Sequence, residues 1–207
     1  MRFKAAEHGC RFHSFSLDGQ DRDAGADYLL TDSDRFAIVE FKYTQSDLVS
    51  EKYKPRRLTL CQKLLSHDDM RAPHDRCHFV SWTEFPLNLI RTNIYRNEVC
   101  TQSVFGSACG LPTQRATEGT RAAAGFFADD FFSIGGSRAL SLTQFETYIA
   151  WLLTETSAST RSTLELIAYN QLSNDLALVR LNSIAEAQSW VRTHISPPRP
   201  RSRLGGP

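Results

Sequence analysis

The sequence predicts an α/β domain: a central mixed β-sheet of about four strands flanked by helices, with a mainly helical C-terminal part. Three observations predict it. Short runs rich in aromatic and β-branched residues, punctuated by turn residues, fill the first 43 positions. Leu58, Leu60, Cys61, Leu64 and Leu65 then recur at helical spacing before a further β-like run. In the last third, boxes of the Ser-x-x-Glu/Gln type mark helix starts.

Taken in order, Cys10 to Leu17 is the first expected strand, and 18–25 is a polar, glycine-containing loop. Ala26 to Thr31 and Phe36 to Tyr43 are the second and third strands, joined by a hairpin turn at Asp32-Ser33-Asp34-Arg35. A helix follows, with Pro55 near its first turn, and Arg76 to Trp82 is the fourth strand. Positions 86–140 give no clear element pattern. Helices are expected to start at Ser141-Leu142-Thr143-Gln144, Ser162-Thr163-Leu164-Glu165 and Ser183-Ile184-Ala185-Glu186, with a short strand at Ala177 to Leu181. The expected division is a sheet core at 1–85, a mainly helical region packed on it at 86–195, and a disordered Pro-, Arg- and Gly-rich tail at 196–207.

A hydrophobic fraction of 41% and a charged fraction of 23% are those of a globular protein. No apolar run suits a membrane span or a secretory leader, so the expected location is cytoplasmic. Five cysteines with irregular spacing do not resemble a disulfide framework, and reduced thiols are expected. Net charge is only +1, but every lysine lies in the first third. Lys52, Lys54, Arg56, Arg57 and Lys63 form a local basic zone suited to a phosphate-facing surface.

The hairpin concentrates chemistry. With its tip at Ser33 and Asp34, Thr31 faces Phe36, Leu29 faces Ile38, and the same register sets Asp27 opposite Glu40. Lys42 projects from the same face as Glu40. Opposed carboxylates destabilise a sheet unless a cation lies between them, and Mg2+, or Mn2+ in its place, takes one or two carboxylates and keeps several waters. The backbone carbonyl of Phe41 is a further oxygen. Such an ion polarises a phosphate and acidifies a water, and Lys42 would position or deprotonate that water or offset phosphate charge.

These residues, Gly25-Ala26-Asp27-Tyr28-Leu29-Leu30 and Ile38-Val39-Glu40-Phe41-Lys42, resemble the PD-(D/E)XK nuclease (restriction-endonuclease-like) superfamily over roughly residues 7–84. The resemblance implies a restriction-endonuclease-like core with Asp27, Glu40 and Lys42 as the catalytic trio. It also points to secondary positions. Many members carry a glutamate on a helix before the first strand, where Glu7 stands. Some carry a glutamine on the helix after Glu-x-Lys, matched by Gln62, although Leu65 and Ser66 occupy the place of the tyrosine that accompanies it. Lys54 is a lesser candidate.

Other signals carry less. Cys61, His67, His74, Cys77 and His78 match no zinc-ligand spacing, and Cys77 and His78 adjoin on an expected strand. Gly106-Ser107-Ala108-Cys109-Gly110 is not a nucleophile elbow, and no phosphate-cradling Gly-Lys-Ser/Thr loop is present. The expected function is therefore a metal-dependent nuclease, with DNA the expected substrate and RNA also admitted, in repair, restriction, transposition or anti-phage defence. A protein partner of the C-terminal region, or a second copy of the chain, is compatible with this. Two alternatives stay open: a non-catalytic nucleic-acid-binding or protein-interaction module on the same fold, and an unrelated α/β domain in which Lys42 merely pairs with Glu40.

Overall fold

The computed structural model describes residues 1–17, 26–32, 34–54, 56–114, 117, 119–156, 164–170, 175–181 and 189. A short helix α1 (Arg2–Glu7) precedes strands β1 (His13–Ser16), β2 (Tyr28–Thr31) and β3 (Arg35–Lys42). A 3₁₀ helix (Gln45–Tyr53) and helices α2 (Arg57–Ser66) and α3 (Asp68–Cys77) then lead to β4 (His78–Glu84) and β5 (Leu89–Ile94). Next come α4 (Tyr95–Val99), α5 (Gln102–Phe105), β6 (Ala122–Ala123), α6 (Ala124–Phe132), β7 (Leu140–Ser141) and α7 (Leu142–Thr156). Strands β8 (Leu164–Asn170) and β9 (Asp175–Leu181) follow.

The class is α/β, with helices flanking a mixed sheet, but the sheet is wider than the expected four strands. Its order is β6-β5-β4-β3-β2-β1-β8-β9, with β7 against β3, nine strands among the described residues. Two of these, β6 and β7, are only two residues long. β3 and β4 are parallel and the other pairs antiparallel. A parallel pair cannot be joined by a tight turn, so the 3₁₀ helix, α2 and α3 form the crossover. β5 lies in the stretch without a legible pattern; it is reached through a Phe85-Pro86 turn.

The hairpin has the register the sequence predicts, with Leu29 opposite Ile38 and Thr31 opposite Phe36. Asp32 enforces it locally: its Oδ1 accepts the amides of Asp34 at 3.1 Å and Arg35 at 2.8 Å. Alternation along β3 then builds two cores. Phe36 and Ile38 face Leu60, Leu64, Phe145 and Tyr148 of α2 and α7. Ala37 and Val39 face Ala5 of α1 and Phe127, Phe131 and Phe132 of α6.

Several expectations are corrected. Cys77 ends α3 rather than sharing a strand with His78, so β4 begins two residues later than expected. The Ser141 box does start a helix, with Ser141 Oγ donating to Gln144 Oε1 at 3.2 Å. The Ser162 box does not: Leu164–Asn170 is a strand that pairs with β1 and β9. This run pairs along its whole length with β9 and at Ser16–Ile167 with β1, and that hairpin ladder outweighs a local capping preference. Among the described residues the region after 86 carries both helices and strands. The expected helix at 183 and the tail at 196–207 lie outside the described residues, except Ser189. Cys61 and Cys100 form a disulfide between α2 and the end of α4, while Cys10, Cys77 and Cys109 are free. The expectation of uniformly reduced thiols is thus corrected, because the fold brings together cysteines 39 positions apart. Among the described residues no helix is long and apolar enough to cross a membrane.

Candidate active site

The site lies where β3 leaves the core. Glu40 and Lys42 continue the face that carries Phe36 and Ile38. Glu40 is nonetheless only 1% exposed. What covers it is the returning 3₁₀ helix. Asp47 caps that helix, its Oδ2 accepting the Thr44 amide and hydroxyl, each at 2.8 Å. Side chains three apart eclipse on a 3₁₀ helix, so Leu48 enters the core and Glu51 stands beside it, also buried.

Two buried carboxylates and three cations meet there. Lys42 Nζ lies 2.8 Å from Glu40 Oε1 and 2.5 Å from Glu51 Oε1. Lys54 Nζ lies 2.5 Å and 3.3 Å from the same two oxygens. Glu51 Oε2 accepts from Arg57 Nε at 3.3 Å and from the Tyr95 hydroxyl at 2.6 Å. Glu40 Oε2 is buried and, among the described residues, has no hydrogen-bond partner.

The two acids respond oppositely. Burial raises the Glu40 carboxyl above its ordinary value, repulsion from Glu51 and then Asp27 adds to this, and Lys42 only partly offsets it. Burial would raise Glu51 too, but Lys42, the Tyr95 hydroxyl and Lys54 prevail and bring it down to about 2. Burial opposes the charge on Lys42, yet Glu40 and Glu51 outweigh it and raise its pKa. Lys42 is therefore an ammonium at neutral pH, a donor and point charge rather than a proton acceptor.

Asp27 sits beside Glu40, though not as the ladder partner that the extrapolated register requires. Regular pairing stops at Tyr28 and Val39. The Asp27 amide donates to the Val39 carbonyl at 3.0 Å, one residue short of Glu40. Its carboxylate Oδ2 accepts the Phe41 amide at 2.7 Å, replacing a backbone acceptor. A side chain thus takes over the last rung of the hairpin, a slip that no count along the chain reveals.

The secondary candidates do not join this cluster. Glu7 pairs with Lys4 at 2.9 Å on α1, whose Ala5 packs with Ala37 and Val39, so it lies across the sheet from Glu40. Gln62 donates to the Cys109 carbonyl at 3.0 Å, tying α2 to a loop. The expected basic helix is also not one surface. The 3₁₀ helix ends at Tyr53 and α2 begins at Arg57, with Arg56 at a positive φ of 72°. Arg57 is buried on Glu51, Lys54 belongs to the site, and Lys63 pairs with Glu155 of α7 at 2.6 Å. Only Lys52, whose ammonium lies 4.8 Å from the centre of the Tyr53 ring, keeps an outward position. Glu51 and Tyr95 are the residues sequence reasoning missed. Gln45 to Tyr53 has no apolar periodicity, and its one useful sign is the three-residue spacing of Leu48, Glu51 and Lys54.

Behind the site, His74 and His78 share one hydroxyl. The Tyr148 oxygen lies 2.8 Å from His74 Nδ1 and 2.7 Å from His78 Nδ1. His74 Nε2 accepts the Arg96 amide at 3.3 Å, so a neutral His74 donates from Nδ1 and Tyr148 donates on to His78. Both histidines thus serve as hydrogen-bonding partners of Tyr148. Among the described residues no three His, Cys, Asp or Glu side chains form a metal-binding group. The chain matches no family model, no curated protein and no solved structure in the comparisons made.

Proposed function

We propose that the chain is a metal-dependent nuclease of the PD-(D/E)XK type, with Asp27, Glu40 and Lys42 at its centre. The observation that carries this reading is the buried Glu40 Oε2, without a hydrogen-bond partner among the described residues, on a carboxyl whose charge is disfavoured by burial and by repulsion from Glu51 and Asp27. Such an oxygen fits a divalent cation better than it fits any neighbouring side chain. Asp27, Glu40 and the Phe41 carbonyl would hold Mg2+ or Mn2+, an oxygen set with room for water. When bound, the ion supplies Lewis-acid polarisation and a more acidic water.

The chain's own residues do the rest. Lys42 and Lys54 present ammonium groups toward which a phosphate oxygen is drawn, and Lys42 offsets charge that develops during hydrolysis. Glu51, ionised and gripped by Arg57 and Tyr95, holds both lysines in place and keeps Lys42 protonated. DNA is the first substrate to test and RNA the second, with the protein partner and self-association of the C-terminal region as further possibilities for the same fold.

One observation favours the non-catalytic module instead. Glu40 and Glu51 are already compensated by Lys42, Lys54 and Arg57, so the cluster is a self-sufficient buried ion network. A cleavage assay in Mg2+ or Mn2+, with linear and circular DNA and with RNA, separates the two. The nuclease reading expects cleavage that falls at least 100-fold in Asp27→Asn and Lys42→Ala. Binding without cleavage in either metal supports the module, and cleavage that survives both substitutions removes these residues from the reaction.

A further inference from the structure

A cavity of about 290 Å³ lies beside the candidate active site, on the same face of the sheet. Register partners share a face, so Glu40, Val80 and Asn93 form one row across β3, β4 and β5. Two strand spacings set Asn93 roughly 10 Å from Glu40 along that row. The Asn93 side-chain nitrogen donates to Glu98 Oε1, in the cavity wall, at 2.5 Å. The two sites are built on the same elements. The 3₁₀ helix lines the cavity with Leu48 and, one turn later, holds Lys42 with Glu51. α4 lines it with Asn97 and Glu98 and sends the Tyr95 hydroxyl to Glu51.

The chemistry of the cavity suits a neutral ligand. Glu98 and Arg121 are the charged groups of its described lining, and they satisfy each other. Arg121 Nε donates to Glu98 Oε1 at 2.6 Å and Nη2 to Oε2 at 2.8 Å. The guanidinium also lies 5.5 Å from the centre of the Trp82 ring. A phosphate would meet the Glu98 carboxylate beside that guanidinium, and a metal ion would need a carboxylate that is already bound. The Thr101 hydroxyl is likewise paired, 2.7 Å from that of Ser103. Asn97 differs. It is 8% exposed, and among the described residues no hydrogen bond reaches its side-chain amide. An amide buried without a partner costs stability, and a ligand that pairs with it removes that cost. Leu48 and Val104 add buried apolar surface to the wall.

We infer that this cavity binds a nucleobase through the Asn97 amide, as the subsite for one base of the strand whose phosphate lies at Glu40; this rests on the nuclease reading for the position of the phosphate. A side-chain amide offers a donor and an acceptor side by side. The edge of a base presents the complementary pair, as adenine does with a ring nitrogen and its amino group. The faces of the base suit Leu48 and Val104. A sugar needs a partner for each hydroxyl, which one free amide does not give. Cavities for small molecules begin at roughly 300 Å³, so this one holds a base and not a base pair, and the base that enters is unpaired.

The test uses the whole chain in EDTA, so that nothing is cleaved. Adenosine and ribose, neither of which carries a phosphate, are titrated by ligand-observed NMR with the wild type, Asn97→Ala and Asn97→Asp. Aspartate keeps the shape of asparagine and loses its N–H donors. Circular dichroism checks folding, and either folded variant suffices. The expected result is adenosine bound at about the millimolar level or tighter, with ribose not bound. Each variant loses roughly 5- to 150-fold on adenosine, and an adenine-containing single-stranded DNA displaces adenosine from the wild type. Adenosine that does not bind, or ribose that binds as well, overturns the proposal. So do variants that bind adenosine as the wild type does, and so does adenosine that the DNA fails to displace. The two readings fail separately. Adenosine binding that depends on Asn97, with no cleavage in Mg2+ or Mn2+, removes the nuclease and keeps the base pocket. Cleavage equal in wild type and Asn97→Ala, with no adenosine binding, removes the pocket and keeps the nuclease.

Discussion

Glu51→Gln and Glu40→Gln should have unequal effects on stability, although both replace a buried carboxylate in one cluster. Glu51 is held at about 2 against an ordinary 4.5. That difference corresponds to about 3 kcal/mol at neutral pH. The sign follows from the depressed value: the folded protein binds this proton more weakly than the unfolded chain. The stabilisation is therefore present above about pH 4.5 and is lost as the pH falls toward 2. Glu51→Gln removes it, leaves Lys42 and Lys54 with Glu40 alone and takes from Arg57 the carboxylate it binds, so a loss of about 3–5 kcal/mol is expected at pH 7. Glu40 has the opposite sign. Its carboxyl is raised by burial, by Glu51 and by Asp27, so its charged form costs stability above the raised value. Glu40→Gln resembles the protonated form and should stay within about 1 kcal/mol of wild type. Urea unfolding at pH 7, 4.5 and 3, followed by circular dichroism, measures all three proteins. Wild type should weaken between pH 4.5 and 3 more than Glu51→Gln does. The electrostatic account is refuted if Glu51→Gln matches wild type at pH 7, or if Glu40→Gln loses as much as Glu51→Gln.

Other outcomes follow from the same packing. Thiol titration of the unfolded, unreduced protein should count three free cysteines, Cys10, Cys77 and Cys109, and five after reduction. Replacing Cys61 and Cys100 together by alanine should lower stability by about 4 kcal/mol, the loop-closure value for a separation of 39 residues, seen as a lower urea midpoint. Tyr148→Phe removes the hydroxyl between His74 and His78 and should cost about 1–3 kcal/mol by the same measurement. If chelation with EDTA leaves a cleavage activity intact, the roles of Asp27 and Glu40 as metal holders fail.

The sequence alone determined the features that rest on local physics. The turn at Asp32 to Arg35 sets the β2–β3 register because one side chain closes it, and alternation then puts Glu40 and Lys42 on one face. The capping box at Ser141 starts α7 for the same reason. Tertiary structure decided what depends on distant partners. Glu51 reaches Lys42 only because the crossover folds back over β3, and Tyr95 reaches Glu51 from 44 positions away. The Ser162 box gave way to a strand because pairing with β9 over seven positions offers more hydrogen bonds than a cap. Asp27 left the ladder to hold the Phe41 amide, and Cys61 found Cys100, because burial leaves few places for unpaired polar or reactive groups. Local preferences are read along the chain, whereas long-range partners are set by which faces the core brings together.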